Sequence, residues 1–98
     1  MDFRFASNDL ERVWTDANSS LGHGKPADEK FRQRVSAIKN AKDERDLRAL
    51  KSLRYERLKG KRKHQWSIRL NDQRRLIVEW EKTNKGNRIV LVDVEDYH

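Results

Sequence analysis

Residues 66–94, WSIRLNDQRRLIVEWEKTNKGNRIVLVDV, decide the fold because their side chains follow the period of β-strands. Apolar and polar residues alternate in the first two runs, which is typical of a strand with one buried face. The third run is rich in β-branched residues and is typical of a largely buried strand. Polar residues at 71–72 and 82–87 predict the two turns between them. The stretch therefore predicts a three-stranded antiparallel meander, with strands near 66–70, 75–80 and 89–94.

The alternation also predicts which side chains share a face of this sheet, since successive side chains point to opposite sides. We expect one face to pack against helices and the other to remain open and half polar. Arg75 is predicted to stand on that open face, beside a basic stretch of the chain. The helix-facing set is Leu76, Val78 and Trp80, and the opposite set is Ser67, Arg69, Arg75, Ile77 and Glu79.

The N-terminal half predicts one short strand followed by two to three helices. A Phe-Arg-Phe run at 3–5 indicates the strand, and Asn8 has capping-box spacing for the first helix, with Ser7 as an alternative cap. Further helices are predicted to begin near Pro26 and Asp43. Their apolar stripes are Leu10, Val13, Trp14 and Ala17; then Ala27, Phe31, Val35 and Ile38; then Leu47 and Leu50. The resulting fold class is α+β, with the helices packed on one face of the sheet.

Composition indicates one folded domain over residues 1–98. Three Trp, three Phe and two Tyr argue against disorder despite 40% charged residues. The chain has no Cys, which excludes a disulfide framework and fits a reducing compartment. No apolar run approaches the roughly 20 residues of a membrane span, and the N-terminus lacks the apolar segment of a signal peptide. We therefore expect a cytoplasmic protein without a membrane partner.

Positive charge is concentrated in residues 51–75. This stretch holds ten Lys or Arg and two acidic residues, a balance of +8, whereas the whole chain carries +7. A localised basic patch is typical of a protein that binds a phosphate-rich partner such as RNA. Lys61, Arg62 and Lys63 are its densest part. The alternatives for them are a solvated loop or a patch that binds RNA backbone, or an acidic face of a partner protein, without selecting sequence.

The last three residues, Asp96, Tyr97 and His98, follow the final predicted strand directly. His and Tyr can both transfer protons, although Tyr would need nearby cations such as Lys59 and Arg75 to act as a base. The alternative is an ordinary frayed end of the chain. For Arg75, the alternatives are a clamp for charge that develops on a phosphate and a surface arginine.

A metal centre or other cofactor is not expected. His23 and His64 lack partners at the spacing of metal ligands. Asp93 and Glu95 fall on one face of the last strand and Asp96 on the other, so they do not form a compact carboxylate set by themselves. The three Trp residues lie on predicted core faces and are expected to pack rather than to stack on bases.

Four motifs occur in order in the second half of the chain, and together they resemble the HigB branch of the RelE-type bacterial toxins. They are Leu58-Lys59-Gly60, Gln65-Trp66-Ser67-Ile68-Arg69, Asn71-Asp72-Gln73-Arg74-Arg75-Leu76 and Asp96-Tyr97-His98. These toxins are small ribosome-dependent mRNA interferases paired with a helix-turn-helix antitoxin. The resemblance extends over the whole chain in length and element order, and its specific part is 58–98.

The resemblance implies site residues at matching positions. Two positions depart from the pattern: some relatives have His where this chain has Glu56, and the position of Arg74 is often aromatic. The first departure leaves open whether Glu56 accepts a proton or positions a cation. The implied catalytic residues are Lys59, Arg75, Asp96, Tyr97 and His98, and the expected RNA-binding residues are Lys61, Arg62, Lys63, Arg69 and Arg74.

The function expected from the residues and the resemblance is that of a metal-independent endoribonuclease toxin. It would cleave mRNA on the ribosome, bind a HigA-type helix-turn-helix antitoxin, and reach DNA only through that antitoxin. One alternative is a basic RNA- or ribosome-binding module that blocks translation without cutting, and another is a purely structural partner of a DNA-binding regulator. Tyr97 or His98 would move protons while the RNA 2′-hydroxyl attacks the adjacent phosphate, and the sequence does not decide which is the base.

Overall fold

The computed structural model of the protein describes residues 1–96, and Tyr97 and His98 lie outside this part. Three helices pack on one face of a five-stranded mixed sheet whose strand order is β1-β5-β4-β3-β2. The α+β prediction is therefore confirmed. The helices are α1 Asn8–Thr15, α2 Lys25–Asn40 and α3 Glu44–Ala49, and the strands are β1 Phe3–Phe5, β2 Glu56–Arg57, β3 Trp66–Arg69, β4 Arg74–Thr83 and β5 Gly86–Asp96.

The predicted meander is the centre of the sheet, where β3, β4 and β5 pair antiparallel. The sequence did not predict two further pairings. β1 pairs parallel to β5, and the two-residue β2 pairs antiparallel to β3 at the opposite edge. The second predicted turn is narrower than 82–87, because the ladder continues to the pair Thr83–Gly86. The strands are therefore longer than their apolar runs.

A single apolar core lies between the helices and the sheet. The predicted stripe of α2 is buried, and the three Trp residues pack against the core while remaining partly exposed. Two stripe predictions were wrong. Ala17 lies beyond the end of α1 and is exposed, and Leu50 follows α3 with 46% of its surface exposed. In both cases the helix ends before the last apolar residue that fits its helical spacing.

Side chains at the helix starts satisfy backbone N–H groups that have no partner inside the helix. Ser7, rather than Asn8, caps α1 by accepting from the N–H groups of Asp9 and Leu10 at 3.1 and 3.4 Å. Asp43 caps α3 as predicted, accepting from the N–H of Arg45.

A β-bulge lies in β5. Ile77 pairs with Asp93 whereas Val78 pairs with Leu91, so Val92 is an extra residue in the strand. Beyond the bulge, the ladder pairs Arg75 with Glu95 on the side of the sheet away from the helices, which we call the outer face.

The outer face is not open, so that expectation was wrong. Ser67 and Ile77 both have 0% exposure although they point away from the helices. The segment 58–65, which we call the covering segment, crosses this face, because Arg62 bonds Glu95 of β5 at 2.7 Å and Gln65 bonds Glu79 of β4 at 2.9 Å. It turns at Gly60, whose φ of 67° suits glycine, and the N–H of Leu58 donates to the carbonyl of Gln65 at 2.9 Å. The alternation in sequence could not reveal this cover, because it lies outside the strands.

Candidate nucleic-acid interface

Two arginines stand directly opposite each other on the outer face. Arg69 of β3 pairs with Arg75 of β4. In an antiparallel ladder such side chains are about 5 Å apart at Cβ, and like charges in that position are destabilising. Their guanidinium groups have separate carboxylate partners, because that of Arg69 pairs with Asp72 and that of Arg75 lies 3.7 Å from Glu95.

A third guanidinium reaches this face from the covering segment. Arg62 lies in the 3-10 turn Gly60–Arg62 and donates to both carboxylate oxygens of Glu95, at 2.9 and 2.7 Å. Glu95 also lies 3.7 Å from the guanidinium of Arg75. The hydrogen bonds from Arg62, followed by the charges of Arg62 and Arg75, hold the pKa of Glu95 below its ordinary value. One carboxylate thus joins the turn to the sheet.

Further hydrogen bonds hold the turn that carries Arg62 against the sheet. The Nε of Arg62 donates to the side-chain oxygen of Gln65 at 2.9 Å, and the amide of Gln65 donates to Glu79 at 2.9 Å. His64 lies 3.8 Å from the same Glu79 carboxylate. Because both Gln65 and Glu79 are partly buried, this chain of bonds restricts where the guanidinium of Arg62 can move.

The predicted arginines and lysines of the site differ in their surroundings. Each predicted arginine lies beside a carboxylate: Arg62 and Arg75 beside Glu95, Arg69 beside Asp72, and Arg74 beside Asp96. The predicted lysines are exposed, and within residues 1–96 none of them forms an ion pair. They are Lys59, Lys61 and Lys63. The lysines therefore carry the positive charge that is most accessible to a partner.

Arg74 and Asp96 face away from the rest of the predicted site. They oppose each other in the last pair of the β4–β5 ladder and form an ion pair there. By the alternation of the strand they belong to the helix side, whereas Arg75 and Glu95 belong to the outer face. The structure thus joins Arg62 and Arg75 through Glu95 and places Arg69 opposite Arg75 on the same face. The lysines lie on the covering segment, and Arg74 and Asp96 lie on the other side of the sheet.

Glu56 occupies β2 opposite Ser67, so it also faces outward, and it is exposed. It lines a surface groove with Arg54, Arg69 and Asp72. The remaining predicted residues, Tyr97 and His98, lie outside the described residues. Sequence reasoning considered Glu95 only as a metal ligand and missed its place among the arginines. The position of Glu95 in β5 was the available signal. The extra residue Val92 changes which residues of β4 and β5 pair, and the sequence does not reveal this change.

The described residues contain neither a metal-binding cluster nor a helix that could span a membrane. Among residues 1–96, no three His, Asp or Glu side chains are close enough to one another to hold a metal ion. Within the same residues, no helix has both the length and the apolar character needed to cross a membrane.

Comparisons with known proteins agree with this fold. A solved structure, the YoeB/ParE toxin from Agrobacterium tumefaciens, superposes with a TM-score of 0.56 at 17% identity, and the match covers 100% of both chains. At that identity the likeness shows the fold, which is that of RelE- and YoeB-like toxins. Among curated proteins, no sequence matches this chain significantly.

The family is shown by sequence. The profile of the RelE-like toxin of the type II toxin-antitoxin system HigB matches residues 3–98. The chain therefore belongs to the HigB-like toxins, and the resemblance inferred from its four motifs is confirmed. Membership in a type II system also implies an antitoxin partner.

Proposed function

We propose that this toxin is an endoribonuclease that cleaves mRNA on the ribosome and thereby inhibits translation. The observation that carries the proposal is the set of arginines on the outer face: Arg62 and Arg75 meet at Glu95, and Arg69 stands opposite Arg75 in the ladder. Three guanidinium groups are suited to the non-bridging oxygens of a phosphate, where negative charge accumulates during phosphoryl transfer. The exposed lysines beside the cluster supply attraction for the rest of the RNA backbone.

In the proposed reaction, the RNA 2′-hydroxyl attacks the adjacent phosphorus, and the bond to the 5′-oxygen of the next nucleotide breaks. Tyr97 and His98 carry the proton from the nucleophile and to the leaving group. Arg75 and Lys59 stabilise the charge on the phosphate oxygens, and Asp96, paired with Arg74, holds the end of β5 in place. This chemistry uses side chains of the chain alone and requires no bound metal. The partner that restrains the toxin is proposed to be a HigA-type antitoxin, through which any contact with DNA would occur.

The test compares mRNA cleavage in a defined translation mixture with thermal unfolding. Arg75→Ala should slow cleavage by about 10²–10³-fold, because it removes a charged hydrogen-bond donor from the phosphate. Removal of Tyr97 and His98 should slow it by about 10²–10⁴-fold. Arg88→Ala is the matched control, since Arg88 is a partly buried arginine that pairs with a carboxylate elsewhere on the sheet.

The truncation removes no residue of the described core, so the free energy of unfolding should change by less than about 1 kcal/mol. A folded, truncated chain that cuts at the wild-type rate would contradict the catalytic role of the tail. A wild-type chain that stops translation without producing cut mRNA would instead support a non-catalytic ribosome-binding module.

A further inference from the structure

We propose that Glu95 is a positioning residue, which holds Arg62 and Arg75 together and weakens their attraction for RNA that is not seated in the site. This inference rests on the proposed function. It assigns a role to a carboxylate that lies within the cationic cluster, where a negative charge opposes the binding of phosphate. The contacts of Glu95 explain how it could serve the reaction nonetheless.

Glu95 bonds Arg62 through both of its oxygens and lies 3.7 Å from Arg75, so the covering turn and β4 share one anchor. A bidentate pair fixes the plane of a guanidinium as well as its position. Without the carboxylate, two like charges would repel each other, and the Arg62 side chain would lose its strongest contact with the sheet.

A phosphate that binds Arg62 or Arg75 must share the guanidinium with Glu95 or displace the carboxylate. Weakly held RNA cannot do so readily, whereas a phosphate that acquires charge during the reaction interacts more strongly with the same donors. Glu95 thus lowers affinity for RNA in general and keeps the donors ordered for the reacting phosphate.

The chain contains a close structural control. Glu81 of β4 lies on the same outer face and accepts hydrogen bonds from Arg4 at 2.7 Å and from Arg88 at 2.8 Å. Its side chain is 30% exposed, and so is that of Glu95. Glu81 is six positions along β4 from Arg75, or about 20 Å at the rise of a strand. The two glutamates therefore differ mainly in which arginines they join.

The experiment compares Glu95→Gln with Glu81→Gln in the full chain. Binding to a short single-stranded RNA is measured as a function of salt, and kcat and KM are measured for mRNA cleavage on ribosomes. In Glu95→Gln, RNA binding should tighten about 3- to 10-fold, with a salt slope steeper by about 0.7 for one added phosphate contact. The kcat should fall about 10- to 100-fold, because small misplacements of catalytic groups are costly. Glu81→Gln should leave both properties within about twofold of wild type.

Arg62→Gln supplies the opposite change, because it leaves Glu95 with one cation fewer. Its RNA binding should weaken by about 3- to 10-fold. In the double variant, Arg62→Gln with Glu95→Gln, RNA binding should return close to that of wild type, because one positive and one negative charge are removed together. Its kcat should stay low, because the contact between Arg62 and Glu95 is missing. Arg62→Gln retains Glu95, so its RNA binding still tests the direction of the charge effect if the variants that carry Glu95→Gln fold poorly.

Several outcomes would overturn the proposal. RNA binding of Glu95→Gln that equals that of Glu81→Gln would remove the competition, and a low kcat that tracks a loss of folded protein would show a merely structural role. If wild-type protein does not cleave mRNA, the proposed function fails, but the contrast in RNA binding between the two variants still tests the role of Glu95.

Discussion

At the residue scale, the positive charges of the site fall into two classes with different consequences. The arginines are paired with carboxylates, whereas Lys61 and Lys63 extend into solvent from the covering segment. Arginine is suited to a fixed planar contact, and lysine to a mobile point charge. We expect the lysines to contribute most to the attraction of RNA and the arginines to the geometry of the reaction.

The first prediction concerns these lysines. Lys61→Ala with Lys63→Ala should reduce the salt slope of single-stranded RNA binding by about 1.4, since each lost phosphate contact is worth about 0.7. Lys82→Ala with Lys85→Ala removes equal charge from exposed positions at the β4–β5 turn and serves as control. Equal slopes for the two double variants would exclude the covering segment from RNA binding.

The second prediction concerns Tyr55, whose hydroxyl joins α3 to the sheet. It donates to Glu44 at 2.6 Å and accepts from the indole N–H of Trp80 at 2.8 Å. Burial, and next the hydrogen bond to Glu44, raise the pKa of Tyr55 above its ordinary value. The folded state therefore keeps a proton that the unfolded chain releases near pH 10, so this contribution is complete below about pH 10 and is lost as pH rises further.

Tyr55→Phe should lower the free energy of unfolding by about 1–3 kcal/mol at neutral pH, because the Trp80 N–H loses its partner. The difference between wild type and variant should shrink as pH rises from about 9 to 11. Denaturant unfolding at several pH values measures it. Parallel curves for the two proteins across this range would contradict the buried, protonated state of Tyr55.

At the element scale, the period of the sequence located every helix and the three central strands, but not where each one ends. Ends depend on single contacts, such as the Ser7 hydroxyl at the start of α1. β2 was not predicted because two residues, Glu56 and Arg57, show no alternation and are ordered by their pairing with β3. The ends of the elements and the existence of β2 thus depend on individual contacts and on strand pairing, which the local sequence pattern does not show.

The third prediction tests the cap of α1. Ser7→Ala should lower the free energy of unfolding by about 1 kcal/mol, because two N–H groups lose their acceptor. For a domain of this size that is a fall in Tm of about 4–8 °C. Asn8→Ala, the neighbouring position inside the helix, should change stability by less than about 0.5 kcal/mol. A larger effect at Asn8 than at Ser7 would contradict the observed cap.

At the scale of the whole molecule, the fold class and the two faces of the sheet followed from sequence, but the arrangement of the candidate site did not. Arg75 was correctly expected on the face away from the helices. Its neighbours Arg62 and Glu95 come from a turn without periodicity and from a strand with a bulge, so no local rule placed them beside it. The family resemblance marked positions, and the structure added the contacts between them.

The fourth prediction is that residues 1–98 unfold as one domain. The three tryptophans report different places, since Trp14 lies in α1, Trp66 in β3 and Trp80 in β4, and all three pack against the same core. Thermal unfolding followed by Trp fluorescence and by far-ultraviolet circular dichroism should therefore give the same midpoint. Single-Trp variants, with the other two replaced by Phe, would reveal separate units if their midpoints differ.

Because β1 pairs with β5, the sheet cannot be completed while the chain is being synthesised until β5 has been made. Phe3 is synthesised well before the residue it pairs with, Ile89. Chains ordinarily begin to fold from the N-terminus as they grow, at about 5–20 residues per second. In the described residues β1 pairs with β5 alone, so its backbone has no strand partner until β5 exists, and β5 also brings Glu95 to Arg62. A growing chain thus carries its lysines and arginines for several seconds before their arrangement is fixed, and the contacts among Arg62, Glu95 and Arg75 form only after β5 has been made.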